Sequence, residues 1–116
     1  MRLYGIKTCG SVKKAMQFLD AKGVEYTFID LKKEKPTQEE LESWVKQVGF
    51  GILLNKKGTT YKKLALKELD LSDAEIKEWL LKEPMLFKRP IVVYDKDSKE
   101  NVMVGFDREN YQRVWK

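Results

Sequence analysis

Residues 3–19 read LYGIKTCGSVKKAMQFL, in which a strand pattern passes almost directly into a helical pattern. Apolar and aromatic residues at positions 3, 4 and 6 predict a short strand, and those at positions 12, 15, 16 and 19 recur at the spacing of one helix face. Gly23 predicts the end of that helix. Apolar and polar residues then alternate from Val24 to Phe28, which predicts a second strand. This order predicts a right-handed βαβ unit with parallel strands.

Two helices are predicted in the middle of the chain, because the pattern [Ser/Thr]-x-x-Glu-[Leu/Ile]-x-x-Trp occurs twice, starting at Thr37 and at Ser72. Its first four residues have the form of a capping box, which marks the start of a helix. The helical register predicts that both tryptophans of the pattern lie in the core. Residues 51–61 are interpreted as a loop with a short apolar segment, and residues 62–69 as a further short helix.

The last part of the chain returns to strand patterns. Residues 91–94 form a β-branched run, residues 95–99 a polar turn, and residues 102–104 its hairpin partner. Asp107 is placed to cap a final helix. The predicted order is therefore β-α-β, a helical insert, then β-β-α.

This order predicts an α/β fold of the thioredoxin-like kind. It contains a mixed four-stranded sheet flanked by helices, with a helical insert at about residues 37–84. We expect residues 1–116 to form a single domain, since this length is usual for one hydrophobic core.

The composition narrows the chemistry that the chain can perform. It contains no histidine and only one cysteine. The lack of histidine excludes Ser-His-Asp and Cys-His catalysis within the chain. A single cysteine excludes an intramolecular disulfide and a thiolate metal cluster. We therefore expect no metal site and no bound cofactor.

Hydropathy and charge point to a cytoplasmic protein without nucleic acid as a partner. No apolar stretch approaches the roughly 20 residues of a membrane helix, and residues 1–6 lack the pattern of a secretory signal. The net charge of +5 comes mostly from lysine. Lysine side chains usually lie in solvent at the protein surface, whereas proteins that recognise nucleic acids favour arginine.

Cys9 lies at the most informative position in the chain, between the first predicted strand and the first predicted helix. A helix N-terminus stabilises an anion, so the pKa of this thiol is expected to fall below its free value of about 8.5. Gly10 and Ser11 would offer backbone N–H groups. Thr8 and Lys13 are weaker candidates, as a hydroxyl and a local charge. A buried, inert cysteine is the alternative interpretation.

The residue three positions after Cys9 is Val12, so the chain lacks a second cysteine that would resolve a disulfide. Any redox cycle at Cys9 must then use an external thiol, such as glutathione or another protein, through a mixed disulfide.

The second candidate feature is Arg89-Pro90, just before a predicted strand. Arg89 either meets an oxyanion or a thiolate, or pairs with a surface carboxylate; the residues alone leave both open.

At this point the chain resembles the arsenate reductase and Spx family, a thioredoxin-like group of the bacterial cytosol. The segments that carry the resemblance are residues 4–5, 9–15, 30–31, 53–56, 58–62, 87–92 and 104–106. The most specific combination is a cysteine that leads the first helix with the Lys-Arg-Pro-Ile-Val entry at residues 88–92.

The resemblance implies a cis bond before Pro90 and a nucleophilic Cys9. In the family's arsenate chemistry the cysteine attacks arsenate, arginines stabilise the oxyanion, glutathione displaces the adduct and glutaredoxin recycles the enzyme. Arg89 matches one of three family arginines. The positions of the other two fall on Asn55 and near Gly105.

Three functions follow as alternatives from the residues and the resemblance. The first is a glutathione-dependent thiol reductase, with Cys9 and Arg89 as catalytic residues and with Pro90 helping to dock glutathione. The second is an arsenate reductase that lacks two arginines. The third is an Spx-like regulator that binds the RNA polymerase α-subunit; Val12 then replaces the second cysteine of its redox switch.

Overall fold

A computed structural model describes all residues from 1 to 116 and contains one four-stranded sheet. The strands are β1 (Arg2–Gly5), β2 (Thr27–Asp30), β3 (Ile91–Lys96) and β4 (Lys99–Val104), in the spatial order β2-β1-β3-β4. The β1–β2 pair is parallel, and the β1–β3 and β3–β4 pairs are antiparallel. The predicted mixed sheet and the predicted parallel βαβ unit are confirmed.

Six α-helices accompany the sheet. They are α1 (Gly10–Ala21), α2 (Gln38–Val48), α3 (Phe50–Leu53), α4 (Thr59–Lys63), α5 (Asp73–Lys82) and α6 (Arg108–Val114). No helix has the length and apolar character needed to cross a bilayer. The chain divides into two compact units: residues 1–30 with 89–116, which hold the sheet, and residues 31–88, which hold the middle helices. The predicted insert lies within the second unit.

The first unit has its core between the sheet and helices α1 and α6. Leu3, Val12, Leu19, Val92 and Tyr111 are fully buried there. These side chains come from β1, α1, β3 and α6, so apolar burial joins the two ends of the chain. The sheet and the two helices thereby form a rigid support for the segment between β1 and α1.

The turn after α1 explains why β2 begins later than expected. Gly23 adopts a φ of +71°, and the N–H of Val24 donates to the carbonyl of Leu19. This is a Schellman ending, which uses Val24 to close the helix. The expectation that the strand starts at Val24 is wrong for this reason, and pairing with β1 begins at Thr27.

The hairpin of β3 and β4 is confirmed, but its turn is tighter than the predicted residues 95–99. Both strands extend until only Asp97 and Ser98 connect them. These residues have φ of 55° and 60°. Two successive positive φ values are those of a type I′ turn, whose twist matches that of the flanking strands.

In the second unit both capping boxes are confirmed. The side chain of Thr37 accepts from the N–H of Glu40, and that of Ser72 from the N–H of Glu75. Trp44 is fully buried against Phe87. Trp79 is only half-buried, with the Lys82 ammonium 5.4 Å from its ring centroid. The prediction that both tryptophans lie in the core is therefore right for Trp44 and only partly right for Trp79.

The segment interpreted as a loop at residues 51–61 is instead partly helical. Gly49, with a φ of +81°, ends α2, and the chain turns at once into α3. Leu53 is buried at its end. The helix expected at residues 62–69 is broken, because Ala65 adopts a left-handed φ of 53° between α4 and a 3₁₀ turn at Leu66–Glu68.

The close approach of α1 to β1 requires glycine at position 5. A Cβ at Gly5 would lie 2.6 Å from Cγ2 of the buried Val12. Val12 is β-branched and has little rotamer freedom in a helix, so the backbone must move instead. We expect Gly5→Ala to lower the free energy of unfolding by about 1–3 kcal/mol, measured by urea denaturation.

Gly51→Ala is the matched control, because a Cβ at Gly51 meets no other atom. It should leave the free energy of unfolding unchanged or raise it slightly. A Gly5→Ala protein as stable as the natural chain would contradict this account of helix–strand packing.

Candidate active site

Cys9 occupies the N-cap position of α1. Its backbone is extended, with φ of −80° and ψ of 126°, and its carbonyl accepts the first helical hydrogen bond, from the N–H of Lys13. Its own N–H donates to the carbonyl of Ile6, just beyond the end of β1. The turn between β1 and α1 is thus closed by the backbone of Cys9 itself. The thiol is partly exposed.

The pKa of the Cys9 thiol is lowered from its ordinary value. Partial burial is the largest single effect and raises the pKa, but the backbone N–H groups of Val12 and Ser11 and the guanidinium of Arg89 together lower it further. The neutral side chain makes no capping hydrogen bond, so these groups act on the charged form. The arrangement favours a thiolate, which is the nucleophilic form of cysteine.

The sheet register explains how Arg89 reaches Cys9. β1 and β3 are antiparallel neighbours, with Tyr4 opposite Ile91. The residues just before Ile91 therefore lie at the end of the sheet where β1 leads into α1. Arg89 is half-buried there, close enough to the Cys9 sulfur for its guanidinium to lower the pKa of the thiol. Of the two roles left open by the sequence, the geometry places Arg89 beside the thiol.

Pro90 is buried behind the site. The Arg89–Pro90 peptide bond is cis, as the resemblance implied. The carbonyl of Pro90 accepts from the N–H of Gly105 at 2.8 Å, which ties the start of β3 to the end of β4. The buried Pro90 is thus fixed by its backbone next to Arg89.

The other predicted site residues line the exposed side of the turn. Thr8, Gly10, Ser11 and Lys13 are all exposed. Of these, only Ser11 acts on the thiol, through its N–H; Lys13 is not among the groups that lower the pKa of Cys9. A Cβ at Gly10 would meet no atom of the chain. The surface at Gly10, next to Cys9 in the chain, is therefore open.

The N–H of Val12 is a functional group that the sequence reasoning missed. The N–H groups expected at the anion site are those of Gly10 and Ser11, but those of Val12 and Ser11 stabilise the thiolate. A side chain at the N-cap reaches the second and third helical N–H groups. With Cys9 as N-cap, those positions are Ser11 and Val12, so the capping rule alone would have identified them.

The contribution of Arg89 is tested by the pH dependence of alkylation at Cys9. Arg89→Ala removes a cation that stabilises the thiolate, so the pKa of Cys9 should rise and the iodoacetamide rate at neutral pH should fall several-fold. Arg89→Lys should lie between, because lysine keeps the charge but not the planar fork. Arg113→Ala, at an exposed arginine of α6, is the control. An unchanged profile in Arg89→Ala would contradict the assignment.

The chain is similar to a known protein family and to several known proteins. Residues 4–114 match the ArsC family model. The YffB protein, a solved structure, has a TM-score of 0.87 and 34% identity, covering 99% of this chain and 98% of its own. The regulatory protein MgsR of Bacillus subtilis (strain 168) is 32% identical over 109 residues, which are 92% of this chain and 83% of its own.

A relative with a named enzymatic activity is also found. The arsenate reductase of Escherichia coli (strain K12) is 30% identical over 93 residues, which are 78% of this chain and 66% of its own. The family model spans nearly the whole chain and includes both Cys9 and Arg89. The chain belongs to the ArsC family.

Proposed function

We propose that this protein is a monothiol oxidoreductase of the reducing cytosol, in which Cys9 exchanges with an oxidised sulfur substrate and glutathione regenerates the thiol. The observation that carries the proposal is the lowered pKa of Cys9 at a partly exposed helix N-cap, beside Arg89. A thiolate that is both stabilised and accessible is the requirement for thiol–disulfide exchange. The open space beside Gly10 supplies the approach.

The reaction consists of two exchange steps. The Cys9 thiolate attacks the glutathione sulfur of a protein–glutathione mixed disulfide. A bond forms between the two sulfurs, and the substrate leaves as a thiolate. A second glutathione thiolate then attacks the same glutathione sulfur of the Cys9 adduct, which yields glutathione disulfide and restores the Cys9 thiolate. In total, the mixed disulfide and one free glutathione are converted into the substrate thiol and glutathione disulfide, and Cys9 is unchanged.

The chain's own groups have distinct roles in these steps. The N–H groups of Ser11 and Val12 stabilise Cys9 as nucleophile and again as leaving group. Arg89 stabilises the same charge and stands where the carboxylates of glutathione can pair with it. An external thiol is needed because Cys9 is the only cysteine of the chain.

Arsenate reduction is the less favoured activity, because two family arginines are replaced by residues with other functions. Asn55 uses its side-chain oxygen to accept from the N–H of Lys57. The third family position falls near Gly105, which is buried with a φ of +80°, a conformation that an arginine at this residue would adopt only with strain. Arg89 is then the one arginine matched to an oxyanion, and each missing donor costs roughly a hundredfold to a thousandfold in rate.

The similarity to MgsR favours a regulatory role as the second candidate. In that case the protein binds the RNA polymerase α-subunit, and Cys9 catalyses no reaction. This candidate predicts binding that is independent of Cys9, whereas the reductase depends on it.

The assay couples a glutathionylated peptide, glutathione, glutathione reductase and NADPH, with a parallel arm that contains arsenate and glutaredoxin. We expect NADPH consumption with the peptide, which Cys9→Ser abolishes and Arg89→Ala lowers by roughly tenfold or more. The arsenate arm should be much slower. Cys9→Ser changes one atom, so circular dichroism should show an intact fold.

Two outcomes would overturn the reductase proposal. One is turnover that survives in Cys9→Ser. The other is no turnover by folded protein that instead binds the isolated C-terminal domain of the polymerase α-subunit.

A further inference from the structure

A groove in the first unit lies between α1 and the segment that leads from β4 into α6. Its volume is about 600 Å³. The residues that line it are Lys14, Gln17, Phe18, Ala21, Lys22, Phe106 and Arg108. We name it the α1–α6 groove; it contains neither Cys9 nor Arg89, and the proposed reductase chemistry does not use it.

The charged groups of the α1–α6 groove are all cationic. Lys14, Lys22 and Arg108 contribute three positive charges, and none of them forms a salt bridge within the chain. No carboxylate lines the groove. Two carboxylates that lie close to it in sequence accept hydrogen bonds from other groups: Asp20 accepts from the hydroxyl of Tyr26, and Asp107 accepts from the N–H groups at the start of α6. The side chains that line the groove therefore carry a net positive charge.

Two of these cations are held in place by an aromatic ring. The Lys22 ammonium and the Arg108 guanidinium each lie 5.7 Å from the ring centroid of Phe18. Phe18 is itself fixed in the core, with Tyr111 packed edge-on at 5.7 Å. A cation–π contact orients a charged head group while leaving its other donors available. The two cations thus lose less freedom when they bind an anion.

The accessible apolar surface of the groove is small. Phe18 is 6% exposed, so a nucleic-acid base has no free ring face to stack on there. The half-buried Phe106 and the exposed Ala21 provide the remaining apolar contact. This surface suits one aliphatic or aromatic side chain flanked by negative charges.

We propose that the α1–α6 groove binds an acidic segment of a partner protein, with carboxylates on both sides of one apolar residue. Lys22 follows Lys14 by eight positions, which corresponds to a rise of about 12 Å along the axis of α1. An extended peptide covers that distance in about four residues. Carboxylates four residues apart therefore reach both ends of the groove, and the side chain between them contacts Phe106. Arg108 faces the same segment from α6.

The probe is a fluorescein-labelled peptide, Glu-Asp-Glu-Leu-Glu-Asp-Glu, titrated at low salt and followed by fluorescence anisotropy. We expect Lys22→Glu/Arg108→Glu to weaken its binding by about tenfold or more, because close charge pairs are replaced by repulsion. Ala21→Glu should weaken it as well and is exposed enough to leave the fold intact. A peptide with glutamine and asparagine in place of the acids should bind at least tenfold more weakly.

The matched control is Lys96→Glu/Lys99→Glu, which makes the same change of net charge at the exposed hairpin of β3 and β4. It should alter the affinity by no more than about twofold, since exposed distant charges are screened. An equal loss in both double variants would show that only net charge attracts the peptide and would overturn the proposal. So would tighter binding of a single-stranded oligonucleotide that is lost in the groove variant alone. Cys9→Ser should bind the peptide normally, so this test is separate from that of the reductase.

Discussion

The antiparallel pairing of β1 with β3, with Tyr4 opposite Ile91, is the interaction on which the site depends. It makes neighbours of two segments from opposite ends of the chain. One is the turn that carries Cys9 into α1, and the other is the Arg89-Pro90 entry into β3. Because both strands are central in the sheet and their paired residues Leu3, Tyr4, Ile91 and Val92 are buried, the two segments have little freedom to separate. The short approach of Arg89 to the thiol follows from this register.

The chemistry of Cys9 is a balance of opposed effects. Partial burial removes water from the sulfur and by itself favours the neutral thiol. The first turn of α1 and Arg89 outweigh it by presenting N–H groups and a positive charge to the thiolate. Without Arg89, the helix alone would lower the pKa of Cys9 by less. Without the helix, the Cys9 sulfur would not be held in a fixed position beside Arg89. The site therefore needs both elements, and the sheet holds them together.

Most of the fold could be predicted from local patterns. The capping boxes that begin at Thr37 and Ser72 and the Asp107 cap were confirmed because capping depends on a few neighbouring residues. Local patterns failed where the backbone takes positive φ values at unexpected residues. Ala65 breaks the expected helix, and nothing in the side chain of alanine signals a left-handed turn.

The site was only half predictable from the residues. The position of Cys9 between a strand and a helix was sufficient to predict an N-cap thiol. The role of Arg89 was not, because no local pattern states which strand lies next to β1. The resemblance to a family suggested it, and the sheet register gives the physical reason.

The most direct test of the account is the intact mass of the protein after mixing with a glutathionylated peptide. We predict one glutathione adduct, located at Cys9 by peptide mapping, which disappears when reduced glutathione is added. Cys9→Ser should gain no adduct. A protein that forms no adduct while its fold is intact would contradict the account, as would an adduct that glutathione fails to remove.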